Sequence, residues 1–447
     1  MQRHQTICDE LTSIDKVSPT SDTPLAKHKL MATNPFRFMR GSASLMYADL
    51  RSGFVSLPES LNSKHLRTCI VGDCHISNFG FFTEEGSHGD NVVFAPNDFD
   101  DACVGNASWD LLRFLVSLHL TVDYCQGLLA GEYVTDELES LDDFIAANNE
   151  ELDEAQEGFL DAYICTCDLL IADPSGRQRV LMDFPKGHVL RKFAEKARKR
   201  AAGGKNFTSK SALAKAIRNM ETFPVFNQPS AKLKPVSDEL KNEIIHTFSP
   251  YVDDAILDVS ERLGAGTGSV NMGRYYLLVG PQDYAGIEDL PLCHIVEIKQ
   301  QRVAAPAQHF ADDSPLCSPA NRLNPAHLTV MCQQRMQRRP DLVLDDIMWQ
   351  GKHWLVRSRH HAKVGIKPEH IGLAKTGEEP GLASYARTCG EALALAHCRG
   401  DRRSTRFEQS VVNTLPLHQD HLVSLAKTYA AQCVQDCALL KQIIADR

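Results

Sequence analysis

Between Val71 and Asp101 the chain alternates short apolar runs with dense polar clusters, and that alternation limits what it can fold into. Cys69-Ile70-Val71 leads into Gly72-Asp73-Cys74-His75-Ile76-Ser77-Asn78, and Val92-Val93-Phe94-Ala95 leads into Asn97-Asp98-Phe99-Asp100-Asp101. Short apolar runs bounded by Gly, Pro and Asn predict buried strands. Both clusters then sit at strand ends, where a rigid scaffold can hold reacting groups. A lone Asp-x-His would predict a solvated hairpin; Asp73, His75, Asn78, Asp98, Asp100 and Asp101 together predict a site. Asp73 is a candidate acceptor of a hydroxyl proton. Asn78, around a tight loop, can turn an amide oxygen to a metal ion. Asp98 supplies a charged oxygen from the next strand, with Asp100 or Asp101 nearby. A general base with a pair of hard ligands is what Mg²⁺-assisted phosphoryl transfer needs. A metallophosphoesterase shares Gly-Asp-x-His, but it also needs a Gly-Asn-His-Asp segment that this chain lacks.

The same residues carry a resemblance. GDCHISN (72–78) followed by NDFDDA (97–102) resembles the Gly-Asp-x-His-x-x-Asn…Asp-Phe-x-x-Ala pattern of aminoglycoside phosphotransferases and other small-molecule kinases of the protein-kinase-like fold. With NPFRFMRG (34–41) and SWDLLR (108–113), the chain resembles more closely, over nearly its whole length, a bacterial family filed as domain of unknown function 2252. That family has no settled substrate. The phosphotransferase resemblance implies ATP as a substrate, Asp73 as the catalytic base, His75 as the group that orients its loop, and Asn78, Asp98 and Asp100 around Mg²⁺. It also implies that Asp110 braces the metal loop. GEALALAHCRGD (390–401) resembles the helix that precedes the catalytic loop in phosphotransferases, where Leu-Ala-x-x-His is frequent.

The second half opens on ERLGAGTGSVNMGRYYLLVG (261–280). A P-loop requires Gly-Lys-Ser/Thr, which is absent, and a Rossmann turn requires a helix after the glycines. Arg274-Tyr-Tyr-Leu-Leu-Val is strand-like instead. A glycine-rich hairpin fits best, with Gly264, Gly266 and Gly268 letting backbone N–H groups approach nucleotide phosphates. Lys299 ends the next apolar strand, Leu292–Lys299. In a kinase-like fold it would hold the α and β phosphates; the alternative is an ordinary edge-strand lysine. The helix expected at 325–338 contains no Asp or Glu, where protein kinases pair that lysine with glutamate; either Gln333 or Gln334 replaces it or the lysine is anchored differently. Two strand-like runs around Gly351 predict a further hairpin. His360 and His361 are adjacent and so point to opposite faces of a strand, which disfavours a metal pair. Arg37 and Arg40 are either surface charges or groups that reach the site. Kinases place the glycine loop and lysine first; here they follow the catalytic loop, and the Leu-Ala-x-x-His helix comes last. Joining the C-terminus to the N-terminus restores the usual order, which predicts a circular permutation.

At 447 residues the chain suits one two-lobed catalytic unit. The expected fold is α+β: a flexible leader (1–32), a helical lobe with the catalytic and metal loops (33–250), a small antiparallel β lobe (251–365), and C-terminal helices completing the helical lobe (366–447). Residues 132–162 are acidic and predict a solvated helical pair; residues 220–240 predict a connecting loop. The segment 186–218 is basic and reads as a solvated helix face or a docking surface for an anionic substrate or protein partner. A net charge of −9 argues against a general nucleic-acid binder. No run of eighteen apolar residues and no signal-like start occur, so a cytoplasmic location and no membrane partner are expected. The 14 cysteines include no CxxC pair and predict buried thiols. The expected activity is ATP- and Mg²⁺-dependent phosphotransfer to an unidentified hydroxyl-bearing small molecule. The alternatives are a catalytically weak nucleotide-binding pseudokinase and an AMP-transferring enzyme.

Overall fold

The computed structural model describes residues 2–264, 272–310 and 318–446. The chain is mixed α+β, and all its sheets are antiparallel. The apolar runs that flank the polar clusters form β1 (Arg67–Ile70), β2 (Phe79–Thr83), β3 (Val92–Pro96) and β4 (Cys103–Asn106). β2 pairs β3 from Phe79↔Pro96 to Thr83↔Val92, and β1 pairs β4 from Arg67↔Asn106 to Ile70↔Cys103. One hairpin is thus nested in sequence within another, and segments 71–78 and 97–102 link the two pairs. The Asn97 N–H donates to the Asn78 carbonyl at 3.0 Å, tying these segments together.

The helix Ala107–Leu129 follows, capped by the Asn106 side chain, which accepts the Ser108 N–H. It is buried nearly all round, not along one stripe, because Gln419–Ala445 and Asn149–Ala172 both pack on it. The acidic stretch departs from expectation. Its first part is mostly turns and irregular backbone with the short β5 (Phe144–Ala146), and one helix, Asn149–Ala172, follows behind an Asn148/Glu151 capping box.

The segment predicted to be a connecting loop carries short strands after β6 (Ile217–Arg218): β7 (Val225–Phe226) and β8 (Leu233–Lys234). A six-stranded sheet then forms from β8, β9 (Ala255–Arg262), β10 (Arg274–Gly280), β11 (His294–Gln300), β12 (Asp345–Trp349) and β13 (Lys352–Ser358), in the order β12-β13-β11-β10-β9-β8. Strand alternation gives it two buried faces. Tyr276, Leu278 and Ile295 pack with Phe207 and Phe226, while Leu277, Val279, Val296 and Ile298 pack with Phe248, Trp349 and Trp354. Glu297 and Lys299 share the Ile295 side of β11, so an apolar face turns charged toward one end. Last come β14 (Val364–Gly365), which extends β2, and β15 (Leu373–Lys375), which pairs β5.

The leader expected at 1–32 is not loose. Gln2–Asp15 is a helix whose Ile7 and Leu11 pack with Cys437 and Leu440 of the last helix. Arg3 donates to Asp49 Oδ2 and Asp436 Oδ1, each at 2.9 Å, and Lys27 and His28 close on Asp15 at 2.8 and 2.9 Å. The partners of Arg3 lie at remote points of the chain, which is why local sequence does not reveal them. None of the described cysteines forms a disulfide, and all but Cys165 are buried. Among the described residues no helix is long and apolar enough to cross a membrane.

Candidate active site

Segments 71–78 and 97–102 open into a cavity of about 210 Å³ that the charged end of the six-stranded sheet also lines. Asp73, His75, Asn78, Asp98 and Asp100 meet Lys299 there, together with Arg40, Arg274, Glu297, Arg357 and Lys363. Of the predicted nucleotide-loop residues, Gly264 has φ +57° and is not among the cavity-lining residues, whereas Met272 and Arg274 at the far end of that loop are. Gly266 and Gly268 lie outside the described residues.

Asp73 is fixed from behind. Arg113, 1% exposed, donates Nε to Asp73 Oδ1 at 2.8 Å, and its Nη2 reaches the same oxygen and the Met39 carbonyl. Burial alone would raise the Asp73 carboxyl, but Arg113 and then His75 outweigh it and hold the group well below the ordinary carboxylate range. His75 Nδ1 accepts the Ser77 N–H at 3.1 Å, which leaves the proton on Nε2, 3.6 Å from Asp73 Oδ2. Burial pushes the His75 imidazole down against the opposing pull of Asp73, and the ring orients the loop. Arg113 closes the SWDLLR stretch (108–113), and no local pattern there marks it as the partner of Asp73.

The turn into Asp73 depends on glycine. Gly72 has φ +79°, and a Cβ there would fall 1.9 Å from the Asp101 carbonyl oxygen. Asp110, fully buried, accepts the Val71 and Gly72 N–H groups at 2.7 and 3.0 Å and meets His397 Nε2 at 3.1 Å. It therefore braces the loop that carries Asp73, not the metal loop. Tyr163 contacts the other His397 ring nitrogen at 2.8 Å, and the Thr68 hydroxyl donates to the His397 carbonyl at 2.6 Å.

Asn78 Nδ2 donates to the Asp73 carbonyl at 2.7 Å, so the amide oxygen is the atom left to face the cavity. Asp98 stands just beyond the paired end of β3 and accepts the Asp100 N–H at 3.3 Å. Asp100 is engaged by two cations and an amide: it meets Lys299 Nζ, lies 3.6 Å from Arg357 and accepts Gln301 Nε2 at 3.2 Å. Asp101 is held by Arg302 at 2.8 and 2.9 Å and by the Ala305 N–H at 2.8 Å, so it fastens the chain after β11 to the metal loop.

Lys299 is 1% exposed, and burial, reinforced by Arg357, pushes its ammonium well below the ordinary lysine range. Its partner is Asp100, not a helix carboxylate. The helix Pro325–Met336 contributes Gln333, whose buried amide oxygen has no hydrogen bond. Glu297, beside Lys299, is held at about 2 against the raising effect of burial by Arg357 and Arg274. Arg40 reaches the cavity from helix Pro35–Gly41 with a buried Nε that makes no hydrogen bond.

A cavity that sets carboxylates and an amide oxygen against several cations fits a polyanion bound with a hard metal. The chain belongs to a bacterial family described as "Uncharacterized protein conserved in bacteria (DUF2252)", whose model matches residues 22–443. No curated protein and no solved structure matches it.

Proposed function

We propose that this protein is an ATP- and Mg²⁺-dependent phosphotransferase acting on a hydroxyl-bearing small molecule, on a two-lobed, circularly permuted protein-kinase-like fold. One observation carries the reading: Lys299 of the six-stranded sheet lines the same cavity as Asp73, Asn78 and Asp98 of the nested hairpins. The donor set fits Mg²⁺, because Asn78 offers an amide oxygen and Asp98 a carboxylate, all hard ligands. Asp100, paired with Lys299, is the weaker of the expected ligands. When bound, MgATP supplies the phosphoryl group and neutralises part of its charge.

The protein's own residues then do three things. Asp73, held ionised by Arg113, accepts a hydrogen bond from the acceptor hydroxyl and aims its oxygen. Its low proton affinity suits a loose transition state that asks little of a base. Lys299 and Arg357 present positive charge where the phosphates would lie, and an anion there competes with Asp100 for Lys299. Arg40 offers an unspent donor to the transferred group from the opposite wall.

Spatial order supports the permutation. His397, from the late helix Leu382–Asp401, shares Asp110 with the backbone that enters Asp73. The first and last helices share an apolar contact, so the ends that a permutation would join lie close together.

Calorimetry of MgATP binding to wild type, Asp98→Ala and Lys299→Ala tests the reading. Binding that requires Mg²⁺ and fails in both variants is expected; absence of binding in wild type removes the proposal. A pseudokinase acting through a protein partner is favoured by one observation, the lack of any Asp or Glu in the helix Pro325–Met336. Tight nucleotide binding with no phosphorylated or adenylylated product from any acceptor selects it, and product mass separates phosphate from AMP transfer.

A further inference from the structure

Away from the cavity, three side chains from three remote parts of the chain converge. His88 lies in the loop between β2 and β3, Asp253 just before β9, and His294 at the start of β11. Their nearest donor atoms all lie within 4.8 Å of one another. His88 Nε2 meets Asp253 Oδ2 at 2.6 Å and His294 Nε2 faces Asp253 Oδ1 at 3.3 Å, so two imidazoles address the two oxygens of one carboxylate. The rings stand edge to face, 4.7 Å between centroids.

A plain His–Asp hydrogen bond accounts for His88 and leaves His294 unexplained. That residue is 4% exposed, and its Nε2 is buried with no hydrogen bond despite pointing at the carboxylate. A buried ring nitrogen that faces a carboxylate at 3.3 Å without the alignment of a hydrogen bond costs free energy. A cation at the focus satisfies all three groups at once. With metal–ligand distances of about 2.0–2.2 Å in a tetrahedron, neighbouring donors stand roughly 3.3–3.5 Å apart. The His294–Asp253 separation already matches. The His88–Asp253 contact needs to open by less than about 1 Å, which is feasible because Asp253 is 52% and His88 26% exposed at the side chain.

We propose that His88, Asp253 and His294 form a divalent transition-metal site, with zinc as its ion. Two imidazoles with one carboxylate select zinc over magnesium or calcium, which demand oxygen ligands. The open side at Asp253 leaves room for water as the fourth ligand. The ion ties the β2–β3 loop to the six-stranded sheet. The same hairpin has Asn78 and Asp98 at its other end, so the clip fixes one wall of the cavity relative to the wall that carries Lys299.

The test is zinc titration of the metal-stripped full-length protein, with bound metal counted by mass spectrometry, and the spectrum of the cobalt-substituted form. Wild type is expected to bind one zinc per chain, to melt at a higher temperature with zinc than with chelator, and to give the visible bands of four-coordinate cobalt. His88→Gln, in an exposed loop, and His294→Gln are each expected to weaken binding by more than the roughly 10–100-fold that an outer-shell partner carries. Asp98→Ala is expected to bind zinc as wild type does. Zinc retained at unchanged affinity in both histidine variants, zinc lost with Asp98→Ala, or no stoichiometric zinc in wild type would each overturn the proposal. None of these readouts depends on nucleotide binding.

Discussion

Replacing Arg113 by methionine isolates the group that positions Asp73. The substitution keeps much of the side-chain volume and removes the donors to Asp73 Oδ1 and the Met39 carbonyl. Removing one partner of a buried ion pair costs roughly 3–5 kcal/mol. The Asp73 side chain is 20% exposed to the cavity and can recover some hydration, so the lower end, about 3 kcal/mol, applies. At about 2.1 cal/mol/K per residue, a chain of 447 residues unfolding as one unit loses about 1 °C per kcal/mol, or about 3 °C here. The sign with pH follows from Asp73, whose carboxyl is held below its ordinary value. Its pair contributes fully above the unfolded carboxylate value, about pH 4, and the contribution is lost as pH falls through the folded value. The gap in melting temperature between wild type and Arg113→Met is therefore widest near neutrality and narrows in acid. In an Asp73→Asn background, Arg113→Met should cost about 2 kcal/mol less than in wild type, since the stranded charge is gone. Thermal unfolding of the four proteins across pH measures all of this. Additive losses, or a gap that does not change below about pH 4, would refute the assignment of Arg113 as the anchor of Asp73.

Three further outcomes are expected. Nucleotide binding should take up protons at a pH below the ordinary lysine value of about 10.4, because an anion restores the proton affinity that burial removes from Lys299; binding heats in buffers of different ionisation enthalpy measure it, and Lys299→Met should abolish it. Gly72→Ala, which places a Cβ against the Asp101 carbonyl, should shift the Asp73 loop and cut any turnover by about 10²-fold, the loss expected for a displacement near 1 Å; unchanged turnover would show that the loop absorbs the methyl group. Asp110→Asn presents an amide donor where two backbone N–H groups and His397 converge, and should cost about 2–3 kcal/mol in denaturant unfolding.

The parts of the site that local sequence reveals are those whose chemistry and scaffold are adjacent in the chain. Asp73, Asn78 and Asp98 follow from polar clusters at the ends of apolar runs, and β1 and β3 stand where those runs lie. Lys299 follows from a charged residue that ends an apolar strand. Arg113 is missed because a helix buried nearly all round hides its one arginine among leucines. Arg3 and the His88–Asp253–His294 cluster are missed because their partners are remote, and no local pattern records such meetings. The acidic stretch misleads for another reason: charge density marks solvent exposure, and both turns and helices supply it. The glycine-rich loop predicted a strand on either side, which β9 and β10 form, while Gly266 and Gly268 lie outside the described residues.

The long reach of the cavity's contacts has a consequence for synthesis. Lys299 follows its partner Asp100 by 199 residues, and His397 follows Asp110 by 287. At about 5–20 residues per second, the carboxylates of the nested hairpins wait roughly 10–40 s for the lysine and roughly 15–60 s for the helix that braces their loop. During that time the nascent chain carries a concentration of negative charge with Arg113 as its main internal partner. A ribosome that stops before the last helices releases a fragment that holds Asp73, Asn78 and Asp98 but lacks the His397 that meets Asp110 behind their loop.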